Sequence, residues 1–236
     1  MASDPGRLRP WVSVPLTSQG LTDLLYRLSE FVMLTLRTAA TLGGGGGGNP
    51  DGTAAYGYLA NPVDVRQYQD LLDRFIDMVQ SQGPFDGLMG FSEGGILAAT
   101  LLLEDARRPF ANFRCALLFS AAPPLDPDAL RDGSIKCLDP AKDTTVSIHV
   151  PTAHVYSHID DAVRTGVPNL VSPLYNLWAE KGWTTPEDVH GSLARLCEQP
   201  QVFVHDCGHR IPGSRDPQAL RGMLRVVERT VGSLAD

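Results

Sequence analysis

The chain has 236 residues, 43% of them hydrophobic and 20% charged, enough to bury one good core but cramped for two. Its net charge of -7, with no run of Lys or Arg, argues against nucleic acid or an anionic membrane surface as partner. The four cysteines, Cys115, Cys137, Cys197 and Cys207, lack C-x-x-C spacing and fit free thiols in a reducing compartment, so a cytoplasmic protein is expected.

From the N-terminus, residues 1–10 carry Arg7 and Arg9 with no apolar core behind them, so no secretory signal is expected there. Residues 11–16 alternate as a short strand, with Pro15 confining it to a strand end or edge. Leu21, Leu24, Leu25, Leu28 and Phe31 follow helical spacing, while residues 31–36 are nearly continuously apolar and fit either the tail of that helix or a buried strand. Six consecutive glycines at 43–48, followed by Asn49-Pro50-Asp51-Gly52, predict a flexible loop over 43–52. Phosphate cradling does not fit, because no Lys-Ser or Lys-Thr follows and no helix opens there. Asn61-Pro62 reads as a cap and a first-turn proline before a helix with Tyr68, Leu71, Leu72, Phe75, Ile76 and Val79 on one face, ended by Gly83.

Residues 85–91 then read as a strand and residues 96–103 as the start of a helix, too short an apolar run to span a bilayer. Between them stands Gly90-Phe91-Ser92-Glu93-Gly94-Gly95, the G-x-S-x-G pattern of a nucleophile elbow. Such a turn needs small neighbours so that strand and helix can approach, and it lifts the serine hydroxyl over a helix N-terminus. Further strands are expected at 115–120, 149–157 and 201–206, and Ser172-Pro173, Thr185-Pro186 and Asp216-Pro217 each look like a cap followed by a helix. Alternating strands and helices predict one α/β domain over 1–236, its mostly parallel central sheet covered by helices on both faces, with a lid-like helical insertion at about 161–199. Leu170, Leu174, Tyr175, Leu177, Trp178 and Trp183 in that insertion suit equally the wall of an acyl pocket or residues packed on the core.

A serine hydroxyl is a weak nucleophile at neutral pH and needs a base, itself oriented by an acid. In the order Ser, acid, His, each just past a strand, the candidates are Ser92, then Asp160 or Asp161, then His209.

These residues resemble the fungal serine hydrolase family, a branch of the α/β-hydrolase fold. The resemblance rests on Gly-Pro-Phe-Asp-Gly-x-x-Gly-Phe-Ser-Glu-Gly at 83–94, Phe119-Ser120-Ala121-x-Pro123-Pro124, Pro151-Thr152-x-His154-Val155-Tyr156 with Asp160 beyond it, and Gly208-His209-x-Ile211-Pro212. It implies Ser92 as nucleophile, Asp160 as acid and His209 as base. Two places depart from the family pattern: Ser157 stands where a Gly is usual, and the turn that should supply a second oxyanion donor falls at Leu16 and Thr17, without the family's His-Gly. The first donor would be the backbone N–H of Glu93. The resemblance further implies hydrolysis of a small-molecule ester or a carrier-bound thioester, in polyketide release or tailoring in a biosynthetic pathway, with an acyl carrier domain as the partner presenting a thioester, and no cofactor. Two rivals are a metal hydrolase built on His154, His158, Asp160, Asp161, His205 and His209, whose spacing matches no metal motif, and a fold relative with a non-hydrolytic biosynthetic or binding role.

Overall fold

The computed structural model describes residues 31–34, 47–48, 54–55, 64–163 and 174–234. The expected strand at 11–16, the helix from Leu21, Leu16 and Thr17, Asn61-Pro62, Leu170, the Ser172-Pro173 cap and most of the glycine run lie outside them.

Seven strands occur among the described residues: β1 (Phe31–Leu34), β2 (Gly47–Gly48), β3 (Ala54–Ala55), β4 (Gly87–Phe91), β5 (Cys115–Phe119), β6 (Thr152–Ser157) and β7 (Pro200–His205). Five of them form one parallel sheet in the order β1-β4-β5-β6-β7. The apolar run at 31–36 is therefore a strand over 31–34, pairing directly with the elbow strand so that Leu34 is level with Gly90. β2 and β3 pair antiparallel as a separate two-stranded sheet, which brings the last two glycines of the run into a short ladder.

The helices among the described residues are α1 (Val65–Gln82), α2 (Glu93–Arg107), α3 (Pro127–Arg131), α4 (Tyr175–Glu180), α5 (Pro186–Arg195) and α6 (Pro217–Gly232). α1 starts later than its proline suggested, because Asp64 caps it by accepting from the Arg66 N–H; a carboxylate is a strong acceptor for the orphan donors of a first turn. Gly83 closes α1 with its N–H on the Val79 carbonyl. α5 opens at Thr185-Pro186 with a capping box between Thr185 and Asp188. α3 was not legible in its polar, proline-containing stretch; Asp126 caps it, and Arg107 donates to both Asp126 and Asp128.

The core lies on both faces of the sheet, and β5 shows why its sequence does not alternate. Ala116 and Leu118 face α1, α2 and α5 with Leu72, Leu97, Leu101 and Leu193, whereas Cys115, Leu117 and Phe119 face α6 with Met223, Leu224 and Val227. A strand covered on both sides has no polar face to present. Leu174, Trp178 and Trp183 are buried in the first of these cores, so within the expected lid these three side chains pack inward. Among the described residues no helix is long and apolar enough to cross a membrane.

Candidate active site

β4 ends and α2 begins with a single residue between them, Ser92, whose φ of 56° and ψ of -124° lie where a non-glycine residue is strained. The turn is affordable only because its flanks carry no side chains. A Cβ on Gly90 would come within 2.4 Å of the Gly94 carbonyl oxygen, and one on Gly95 within 2.4 Å of the Ala121 Cβ. The Ser92 N–H is tied at 2.9 Å to the Phe119 carbonyl of the neighbouring strand. The hydroxyl is thereby fixed at the C-terminal edge of the sheet, at the N-terminus of a helix whose first-turn N–H groups favour negative charge.

Two loops bring the other groups. After Ser157, the last residue of β6, the chain turns through His158 and Ile159 to Asp160, and after β7 through Cys207 and Gly208 to His209, Gly208 holding a φ of 70°. The Ser92 Oγ donates to His209 Nε2 at 3.0 Å, and His209 Nδ1 donates to Asp160 Oδ2 at 2.7 Å. Asp160 is fully buried and also accepts the Ala162 N–H at 3.0 Å. Burial pushes its carboxyl upward, but hydrogen bonds from His190 and His209 outweigh that, and it is held well below the usual carboxylate range. The His209 side chain is 28% exposed, and the Phe91 ring lies 5.0 Å from its own, centroid to centroid. Of the two acid candidates, Asp160 is the one within hydrogen-bonding distance of His209; Asp161 starts the following 3-10 turn and is exposed.

The loops are clamped to each other. The Ser157 hydroxyl, 0% exposed, accepts from Ile159 N at 3.2 Å and from Gly208 N at 3.1 Å. His158 Nδ1 and N donate to the His205 carbonyl at 2.9 and 3.1 Å. On the far side of the base loop Arg210 donates to the Cys207 carbonyl and to Asp216.

Sequence reasoning overlooked His190. It sits on α5, 1% exposed, with Nε2 3.2 Å from the same Asp160 oxygen that His209 uses and Nδ1 2.9 Å from the Ala121 carbonyl. The available signal was a histidine flanked by apolar helix positions, Pro186, Val189 and Leu193, where a buried polar ring requires partners. Apart from Asp160 and His209, which pair with each other, the histidines and acids of the metal alternative do not gather as ligands: among the described residues no group of three or more His, Cys, Asp or Glu could hold an ion. His154 instead hydrogen-bonds Thr152 at 2.9 Å inside the sheet, and burial pushes its imidazole down to about 3.

The sequence matches a family model described as serine hydrolase (FSH1) over residues 46–219. "Esterase FPY3" of Fusarium mangiferae is 27% identical over 172 residues, covering 72% of this chain and 68% of that protein. "Esterase alnB" of Emericella nidulans is 37% identical over 203 residues, covering 66% and 69% respectively. "Hydrolase phiM" of Talaromyces stipitatus is 30% identical over 179 residues, and the chain spans 59% of its length. Among solved structures, acyl-protein thioesterase 2 of Zea mays aligns over 75% of each chain at 14% identity with a TM-score of 0.38.

Proposed function

The chain belongs to the serine hydrolase (FSH1) family and is a hydrolase of the esterase type, and from that premise we propose that it cleaves an ester or thioester through Ser92, His209 and Asp160. The observation that carries this assignment is the unbroken hydrogen-bond chain from the Ser92 hydroxyl to the buried Asp160 carboxylate.

His209 Nε2 takes the Ser92 proton as Oγ attacks the acyl carbon, and the imidazolium then gives that proton to the leaving alcohol or thiol. Asp160, acceptor for Nδ1–H, fixes the tautomer that leaves Nε2 free to receive a proton and stabilises the cation once formed. The oxyanion forms at the N-terminus of α2, with the Glu93 N–H as one donor and the N–H of Leu16 or Thr17 as the second. Water, activated by the same histidine, then releases the acid from Ser92.

For the substrate we propose an acyl ester or a carrier-bound thioester of a biosynthetic pathway, delivered in the latter case by an acyl carrier domain. This finer reading is supported by the family resemblance. Three buried cysteines and a partly exposed Cys207, all unpaired, support a reducing, cytoplasmic setting.

The test is covalent labelling with a fluorophosphonate, which needs an activated serine but no correct acyl group. Labelling of wild type and none of Ser92→Ala supports the assignment; equal labelling of both would overturn it. A panel of p-nitrophenyl esters and acyl-N-acetylcysteamine thioesters then separates ester from thioester preference.

A further inference from the structure

His190 faces two oxygens, and neither can donate. The Ala121 carbonyl, 2.9 Å from Nδ1, is an acceptor only; the Asp160 carboxylate, 3.2 Å from Nε2, is also an acceptor while ionised. A neutral imidazole carries hydrogen on one ring nitrogen, so either neutral tautomer would set a nitrogen lone pair against an oxygen lone pair in a site that is 1% exposed on the histidine side and 0% on the aspartate side. Only the doubly protonated ring satisfies both contacts.

We propose that His190 is a positioning residue of this site, held as a buried imidazolium between the Ala121 carbonyl and Asp160, and that its charge sets the pH at which His209 works as a base. The inference rests on the hydrolase reading above, because it assigns His190 a part in the chemistry of Ser92 and His209.

The surroundings suit a buried cation. Asp160 supplies the opposite charge, and its three donors, His190, His209 and the Ala162 N–H, leave its buried oxygens satisfied. From β6 the Tyr156 ring packs 5.3 Å from the His190 ring, and its hydroxyl donates at 2.6 Å to Glu187, one turn back on α5. Arg195 lies further along the same helix, beside Glu187 across Gly191. From the β5 side comes the Ala121 carbonyl; from beyond β7 comes His209, on the shared carboxylate oxygen, while His205 at the end of β7 feels the Asp160 charge.

Two consequences follow from the pairing. His190 and Asp160 together are neutral, so the pull that Asp160 exerts on a protonated His209 is partly cancelled and the base gives up its proton more readily. The second bond also fixes the plane of the Asp160 carboxylate, because one oxygen is held from two directions and the other by backbone.

Two substitutions separate charge from donor geometry. His190→Gln can keep an amide donor toward Asp160, and His190→Asn one toward Ala121; neither carries charge. In folded protein, checked by circular dichroism, both should move the inflection of kcat/KM with pH upward, with KM little changed. His190→Asn, which strips Asp160 of a charge-assisted donor, should lower kcat about 10- to 100-fold. A direct reading needs no turnover: in 15N-histidine-labelled Ser92→Ala protein at pH 7.5, the resonances that vanish on adding His190→Gln should show two protonated ring nitrogens. A bare, pyridine-type nitrogen on His190 would overturn the proposal, as would pH profiles of both variants superimposable on wild type. Since the spectrum is taken on inactive protein, it stands or falls separately from the assignment of Ser92 as nucleophile.

Discussion

The Ser157 hydroxyl accepts a hydrogen bond from the backbone N–H of Gly208, 51 residues later in the chain, at 3.1 Å. Ser157 is the last residue of β6, and Gly208 immediately precedes His209, so one side-chain oxygen joins the loop carrying the acid to the loop carrying the base. The same oxygen accepts from Ile159, next to Asp160. Ser157→Gly, which restores the residue usual in the family, should leave two N–H groups without their partner and destabilise the protein by about 2 kcal/mol, on the scale of a lost buried hydrogen bond. With Asp160 and His209 less firmly registered, kcat should fall on the order of tenfold. Urea unfolding and steady-state kinetics measure the two effects; a stability loss with kcat untouched would mean the loops keep their places without the clamp.

Ser92→Ala and His209→Ala should each reduce esterase turnover by several orders of magnitude in folded protein, and the double variant should be hardly worse than either, because the groups act as a unit. Asp160→Asn should be comparably or somewhat less severe, while Asp161→Asn should be mild, since His209 bonds Asp160 at 2.7 Å. A severe Asp161→Asn together with a mild Asp160→Asn would reverse the choice of acid.

How much of this was legible follows from which signals are local. The elbow is a contiguous pattern, and the structure places Ser92 at a strained strand-to-helix turn with Gly90 and Gly95 in close contact with their neighbours. The strand of residues 31–34 was ambiguous because an apolar run buried on a sheet and the end of a buried helix have the same periodicity; only pairing with β4 decides it. α3 escaped because its five residues are held by a cap, by Arg107 at the end of α2 and by the buried Pro127 and Leu130, too few apolar positions to make a stripe. Ser157 and His190 were beyond reach for a different reason: each acts through partners 30 to 69 residues away, which no spacing rule encodes. Leu16 and Thr17 fall outside the described residues, so the second oxyanion donor still rests on the sequence.

His154 makes stability sensitive to acid. Its folded-state imidazole is pushed from 6.5 down to about 3 by burial, so above pH 6.5 the group is neutral in both states and contributes nothing. As the pH falls below that value the unfolded chain takes up a proton that the folded chain refuses. Stability then drops by about 1.4 kcal/mol per pH unit until the folded group itself titrates. His154→Leu should remove this component. Unfolding free energies at pH 7.5 and pH 5 should therefore differ less for the variant than for wild type; an equal difference would mean that His154 is already charged, or solvated, inside the sheet.

The sequence expected to supply the second oxyanion donor, at Leu16 and Thr17, lacks the glycine that would ease a left-handed backbone, so the oxyanion hole should form imperfectly without the proper substrate. Ready fluorophosphonate labelling of Ser92 should accompany slow hydrolysis of p-nitrophenyl acetate, with a deficit on the order of 10² to 10³ for one missing donor. Leu16→Pro and Thr17→Pro each delete a candidate N–H, and at least one should depress turnover of the best substrate. If both are silent in folded protein, the donor is to be sought after Leu34, since β1 is the strand paired with the elbow strand.

The 117-residue separation of Ser92 and His209 along the chain also orders events in time. A ribosome delivers the elbow well before it makes His209, and the histidine arrives on the far side of three further parallel pairings, each a long-range contact that closes slowly. A nascent chain therefore carries a serine with nothing to activate it. On the proposed mechanism Ser92 is activated only once β7 has paired with β6 and α6 has packed on that face, so turnover should report completed folding and an unfinished molecule should leave esters untouched.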